Sequence, residues 1–200
     1  MTTSRSTPRL RLTALLLLGV LVLVATSERS SAAGLPGLLL QLGGLACIAC
    51  AALGRVWCSV FIAGYKDAQL VCAGPYAALR HPLYALSLLA MLGIGLTTRS
   101  AVLAAALLAA SAAVHARAAR AEDRLLSSAH GAAFDRYAAA VSGFWPSWSA
   151  YRVPDVLEIR PRVLWKAFLD AGSLLGVWAL LVLADALQRA AVTPTWMTLP

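Results

Sequence analysis

Of 200 residues, 60% are hydrophobic and 13% charged, with a mean hydropathy of +0.74; soluble domains carry about 25% charged residues. This composition excludes an ordinary soluble protein and marks an all-α, polytopic membrane protein, with room for about five transmembrane helices and no separate soluble domain. The net charge of +8 comes largely from arginines beside apolar segments, which reads as membrane topology and not as nucleic-acid binding.

The N-terminus carries Arg5, Arg9 and Arg11 and then runs apolar from Leu12 to Ala25. A basic head on a short apolar core resembles a signal peptide, with Ala25-Thr26-Ser27 small enough to cleave. The whole run from Leu10 to Ser27 approaches the roughly 20 residues a span needs, and we read it as the first transmembrane helix. After a short loop, Glu28 to Gly34, a second helix is expected over Leu35 to Val56, where Gly43, Gly44 and Gly54 allow close approach of a neighbour. Cys47 and Cys50 form a CxxC within this apolar helix. Without a second pair or clustered histidines it reads as small residues at a helix contact, not as a metal or redox centre.

Trp57 to Ala73 turns amphipathic, interrupted by Lys66, Asp67 and Gln69, and is expected at the interface. It leads into Gly74 to Tyr84, GPYAALRHPLY, a polar, proline-punctuated island between apolar stretches. Gly74-Pro75 is a turn signal. Pro82 suits a first helical position, and an apolar run to Leu96 follows as the third helix. Arg80 and His81 then sit at the mouth of a membrane helix, where the dipole favours an anionic or zwitterionic ligand. The bland alternative is a topology anchor with Tyr76 and Tyr84 as interfacial aromatics.

Thr97 to Ser100 is a tight turn into a fourth helix, Ala101 to about Ala116, making an antiparallel hairpin. The helical pattern continues beyond the membrane as a charged extension with Arg117, Arg120, Glu122, Asp123 and Arg124. Phe134, Tyr137, Phe144, Trp145, Trp148 and Tyr151 form an aromatic group suited to the bilayer surface. Val153 to Lys166 is basic and polar, and Ala171 to Leu187 reads as a fifth helix with aspartates near its ends. Basic residues gather at the N-terminus, between helices two and three (Arg55, Lys66, Arg80) and after helix four. The alternate loops hold Arg29 and Arg99. The positive-inside rule therefore puts the island and the charged extension together on the cytoplasmic side.

These residues carry a resemblance. GPYAALRHPLY, a helical hairpin, and then AEDRLLSSAHGAAFDRYAAAVSGFWP resemble the isoprenylcysteine carboxyl methyltransferase and phospholipid methyltransferase family, which shows G-x-Y, R-H-P-x-Y, an acidic pair, and a later tyrosine pair before a proline. The match covers residues 68–146, a core within one membrane domain of 1–200, with 152–189 as a basic segment and extra helix. Departures are Asp123 as the second acid, His130 before Gly131, Phe134 for the first of the later tyrosines, Ala68 where a histidine stands in the members nearest the eukaryotic enzyme, and Ala118 where those members have a substrate-facing arginine. They leave the methyl acceptor open.

The resemblance implies S-adenosylmethionine as methyl donor, bound at the cytoplasmic face by Gln69, Leu70, Val71, Tyr76, His81, Pro82, Leu83, Tyr84 and Glu122. Arg80 and Glu122 are placed at the reacting groups, and a membrane lipid or isoprenoid-like acceptor enters from the bilayer. The chemistry is consistent with this. Methyl transfer from a sulfonium needs the donor's amino-acid end held, its adenine covered, and nucleophile, methyl and sulfur in line. Glu122 would accept from the donor's ammonium or ribose, Arg80 and His81 would hold its carboxylate, and Tyr76 and Tyr84 would pack on its flat or cationic parts. No metal is required. For Glu122 and Asp123 the alternative is a solvated helix end paired with Arg120 and Arg124; His115 and His130 read as ordinary polar positions.

Two rival readings stand beside this one. Membrane sterol and steroid reductases carry a similar Arg-His-Pro-x-Tyr and use NADPH, but usually have Asn where Leu83 stands and lack the acidic pair. A non-enzymatic helical scaffold is the other. An amine acceptor would need a base and a carboxylate would not; the sequence does not choose between them.

Overall fold

The computed structural model describes residues 27–29, 34–62, 69–157, 159–190 and 197–199. The expected helix over 10–27 lies outside these, apart from Ser27. That residue begins strand β1 (Ser27–Arg29), paired in parallel with β2 (Met197–Leu199) in the register Ser27 to Met197. The rest is helical: α1 (Leu35–Ile62), the single turn α2 (Pro75–Ala78), α3 (Pro82–Thr98), α4 (Ala101–His130), α5 (Ala132–Ala140) and α6 (Pro161–Arg189). Helices α1, α4 and α6 are long and apolar enough to cross a membrane, and α3 is a shorter apolar helix between them. This is a helical membrane protein.

Several boundaries differ from expectation. Helix α1 runs six residues beyond Val56 to Ile62, because Trp57–Ile62 has no breaker and Phe61 and Cys58 bury against the fold. Arg55, counted above among the cations between helices two and three, lies well inside this helix. Helix α6 begins at Pro161, so Arg162 and Lys166 belong to its first turns; proline at the first position starts the helix there. The fourth helix continues without a break to His130, as its charged extension suggested.

Lipid tails are as apolar as leucine, so burial of apolar surface does little to hold helices together in a bilayer; close backbone approach and polar ties do more. Helix α1 packs along α3 and α6, and α3 along α4. At the first contact a Cβ on Gly93 would stand 2.6 Å from the Gly44 carbonyl oxygen, and one on Gly54 would meet Leu86. The expected role of Gly44 and Gly54 is thus borne out, and Cys47 sits at the same contact against Gly93. Ile48, Ile94 and Leu181 form the buried centre, flanked by Leu107, Leu174 and Trp178.

Two polar ties cross the bundle. Toward the α3 N-terminus, Arg55 Nε donates to Asp170 Oδ2 at 2.8 Å and its NH1 to Ser87 Oγ at 2.9 Å. At the opposite end, buried Asp185 of α6 accepts from Gln41 (2.9 Å), Arg99 (3.2 Å) and Arg189. The α3–α4 turn is formed there too. Arg99 takes the left-handed conformation (φ 58°) as the α3 C-cap, and the Ser100 hydroxyl caps α4 by accepting from Leu103 N at 3.2 Å. The Asp185 contact holds Arg99 in a conformation that costs an L-residue about 1–2 kcal/mol.

Candidate active site

The polar island is folded as a turn, α2, and an extended step into α3. Gly74 has φ 58°, and a Cβ there would lie 2.3 Å from the Phe61 ring, so glycine is required on both conformational and steric grounds. Leu79 N closes α2 on Pro75 O at 3.0 Å, but the N–H groups of Arg80 and His81 have no helical acceptor, and the chain after α5 supplies one for each. Arg80 N donates to Ser142 O (2.9 Å) and His81 N to Gly143 O (3.2 Å), while Ser147 N donates to Ala78 O (2.9 Å) and Gly74 N to Arg152 O (2.7 Å). Tyr137 on α5 adds a bond from its hydroxyl to the Tyr76 carbonyl at 2.7 Å.

The charged extension of α4 meets this island. The buried His81 ring has a carboxylate on each side: Nε2 lies 3.0 Å from Asp123 Oδ1, and Nδ1 lies 3.7 Å from Glu122 Oε2. A carboxylate accepts, so Nε2 carries the proton in the shorter contact. Arg80 NH1 stands 3.5 Å from Asp123 Oδ2, and its guanidinium lies over the Phe134 ring at 5.9 Å. The alternative in which Asp123 is a helix-end acid paired along α4 gives way here, since Asp123 instead ties α4 to the island.

Two adjoining hollows open beside these groups. Gln69, Leu70, Val71, Tyr76, Arg80, His81 and Glu122 line the first, with Ile62, Leu126 and Tyr137. Pro82, Leu83 and Tyr84 join Ile62, Tyr76, Arg80, His81 and Glu122 around the second. The residues that the resemblance assigns to the donor and to the reacting groups are thus all on one of the two walls, whereas Asp123 lines neither. Tyr76 Oη and Arg80 Nε are buried and have no protein partner. Burial, reinforced by nearby groups including Glu122, pushes the Tyr76 phenol well above its ordinary range, so it stays a neutral donor.

Some site neighbours were not legible beforehand. Ile62 was hidden by the early end expected for the second helix. Phe134 and Tyr137 were expected at the bilayer surface, yet both are buried, in a cluster with Val141 that packs on Leu70 and Leu126; Phe144 packs against His81 at 5.8 Å. Trp145 and Trp148 do stay exposed. His115 sits on α4 with its ring 5.4 Å from Tyr84, which itself stacks on His81 at 5.6 Å. Its Nδ1 lies 2.8 Å from the Ser111 carbonyl, which fixes the tautomer with the proton on Nδ1. The only advance signal was its spacing of seven residues from Glu122, two turns along one helix face.

The fold and site define a helical membrane protein with a partly open hollow, lined by charged and apolar side chains, at one end of its bundle. The family model for phospholipid methyltransferases matches residues 37–133. The cobalt-zinc-cadmium resistance protein CzcN of Cupriavidus metallidurans is 36% identical over 162 residues, covering 81% of this chain and 74% of that protein. The nickel-cobalt-cadmium resistance protein NccN of Alcaligenes xylosoxydans xylosoxydans is 32% identical over 157 residues, covering 78% and 73%. The chain belongs to the phospholipid methyltransferase family. No solved structure matches it.

Proposed function

We propose that this protein is a membrane-embedded, S-adenosylmethionine-dependent methyltransferase whose site faces the cytoplasm and whose acceptor is lipid-like or prenylated. The observation that carries the reading is the meeting of Arg80 and His81 with Glu122 and Asp123, from segments 42 positions apart for His81 and Asp123, beside two hollows that Arg80, His81 and Glu122 line. The unpartnered Tyr76 Oη and Arg80 Nε fit a ligand that brings its own acceptors. Arg80 and His81 would hold the donor's carboxylate, Glu122 its ammonium or ribose hydroxyls, and Tyr76 and Tyr84 would cover its flat part. The bound donor supplies an electrophilic methyl group on a positively charged sulfur. Asp123 keeps His81 and Arg80 in place, and the apolar walls at Ile62, Leu70 and Leu126 limit water around a reaction in which charge is lost.

Loop arginines support the cytoplasmic orientation. Metal resistance, as in the relatives' names, would follow on this reading from a methylated acceptor. Among the described residues no group of three or more His, Cys, Asp or Glu is placed to hold an ion. Purified protein is expected to bind S-adenosylhomocysteine by calorimetry, with Glu122→Gln and His81→Ala each weaker and NADPH not competing. Tight NADPH binding without S-adenosylhomocysteine binding would overturn the proposal in favour of a reductase. Mass spectrometry of lipid extracts after supply of isotopically labelled methyl donor would identify the acceptor.

A further inference from the structure

The chain from Ser142 to Lys166 has two unlike sides. Its inner side is bonded to the site: Ser142 and Gly143 accept from Arg80 and His81, Ser147 donates to Ala78, Arg152 accepts from Gly74, and the Tyr151 hydroxyl accepts from Trp57 Nε1 at 3.2 Å. Its outer side is apolar and basic. Trp145 is 81% exposed, Trp148 70% and Val156 81%, with Val153, Ile159 and Trp165 also exposed. Arg152, Arg160, Arg162 and Lys166 are exposed among them, and the acids of the stretch are Asp155 and Glu158.

Prolines at 146, 154 and 161 keep this stretch from forming an α-helix before α6, with a single 3-10 turn at Trp148–Ala150, so its shape is set by the inner bonds, and its outer side stays exposed among the described residues. Tryptophans interleaved with arginines match the headgroup level of a bilayer, where the ring is buried and the polar tip stays wet. The apolar groups alone would suit any bilayer surface. Four exposed cations against two acids in the stretch select an anionic one, each cation contributing about fivefold in affinity.

We propose that residues 142–166 form an interfacial strap that binds the anionic phospholipid headgroups of the leaflet on the site's side, and that this binding holds Arg80 and His81 in place at the hollow. The lipid contact stands on the exposed surface alone; its effect on the site rests on the donor reading given above. The site is then responsive to the surface charge of its own membrane.

The test uses the full chain in lipid nanodiscs of phosphatidylcholine alone or with added phosphatidylglycerol. Quenching of tryptophan emission by headgroup-labelled lipid, less that seen in a Trp145→Phe, Trp148→Phe variant, isolates the strap. It is expected to rise with phosphatidylglycerol, and a variant with Arg152→Gln, Arg160→Gln and Arg162→Gln should need roughly fivefold more anionic lipid per arginine lost for the same response. S-adenosylhomocysteine binding should be tighter in anionic discs for the wild type and indifferent to lipid in the triple variant. A strap signal that ignores lipid charge in the wild type overturns the lipid contact. A strap signal that responds while S-adenosylhomocysteine affinity stays equal in both discs overturns the coupling. No binding of that analogue in either disc overturns the donor reading instead, and the quenching result stands apart from it.

Discussion

The two ends of the bundle treat charge in opposite ways. At one end a single buried carboxylate, Asp185, collects donors from Gln41, Arg99 and Arg189 and so ties α1, the α3–α4 turn and α6 together. At the other, Asp123 contacts His81 and Arg80 directly, Glu122 stands by His81 beside a hollow, and Tyr76 Oη and Arg80 Nε are left without protein partners. Arg99 Nε is also unpartnered at the first end, but Arg80 and Tyr76 themselves line a cavity. A cluster that converges on one atom is a fastening. One that spreads beside a cavity leaves room for the ligand proposed above.

The largest expected effect comes from breaking the fastening. Asp185→Ala leaves Arg99 buried without its counter-charge, and breaking a buried pair this way costs about 3–5 kcal/mol; thermal unfolding in detergent should show it, whereas Asp123→Asn at the hollow should unfold close to wild type. Next comes Arg80→Lys. On the ligand reading it keeps expression and orientation but raises the methyl-transfer barrier by about 2–3 kcal/mol and so loses most turnover, because an ammonium cannot reproduce the guanidinium fork. Wild-type turnover in that variant would make Arg80 a topology anchor, since the positive-inside rule accepts either residue.

Smaller still is Gly93→Ala at the contact that joins the two ends. The added methyl meets the Gly44 carbonyl and Ile48 at 2.6 and 2.7 Å, and overpacking of this kind costs about 1–3 kcal/mol, read as a lower unfolding temperature with both polar clusters intact. The smallest is Tyr137→Phe, which removes one hydrogen bond to Tyr76 and about 1 kcal/mol. Burial raises the Tyr137 phenol above its ordinary value of 10.0, so the fold favours the protonated form. Its contribution is fully present below about pH 10 and is lost as pH rises toward the folded value. Stability of the wild type should therefore fall above pH 10 more steeply than that of Tyr137→Phe.

The comparison also separates what could be read in advance. The island and the acidic pair were legible because both break an apolar pattern: prolines and glycine mark the turn, and charged residues cannot be hidden in a hydropathy profile. Arg99 and Asp185 were visible as residues but not as a pair, since 86 positions separate them and each looks like an ordinary helix-end charge. Arg55 was misplaced for the same kind of reason. An arginine near an apolar boundary reads as a loop cation, and only the packing of α6 beside α1 supplies Asp170 as its partner.

The sequence by itself determined the membrane class, the helical hairpin of α3 and α4, and the residues around which a site would form, because periodicity, turn chemistry and charge are local properties. The tertiary structure alone decided that Asp123 ties α4 to His81 and Arg80, that Phe134 and Tyr137 turn inward while Trp145 and Trp148 turn outward, and that the chain after α5 completes the island's hydrogen bonds. The physical reason is that an aromatic or charged residue is equally at home at a bilayer surface, in a core, or beside a ligand. Which of these it meets depends on the helices that pack next to it.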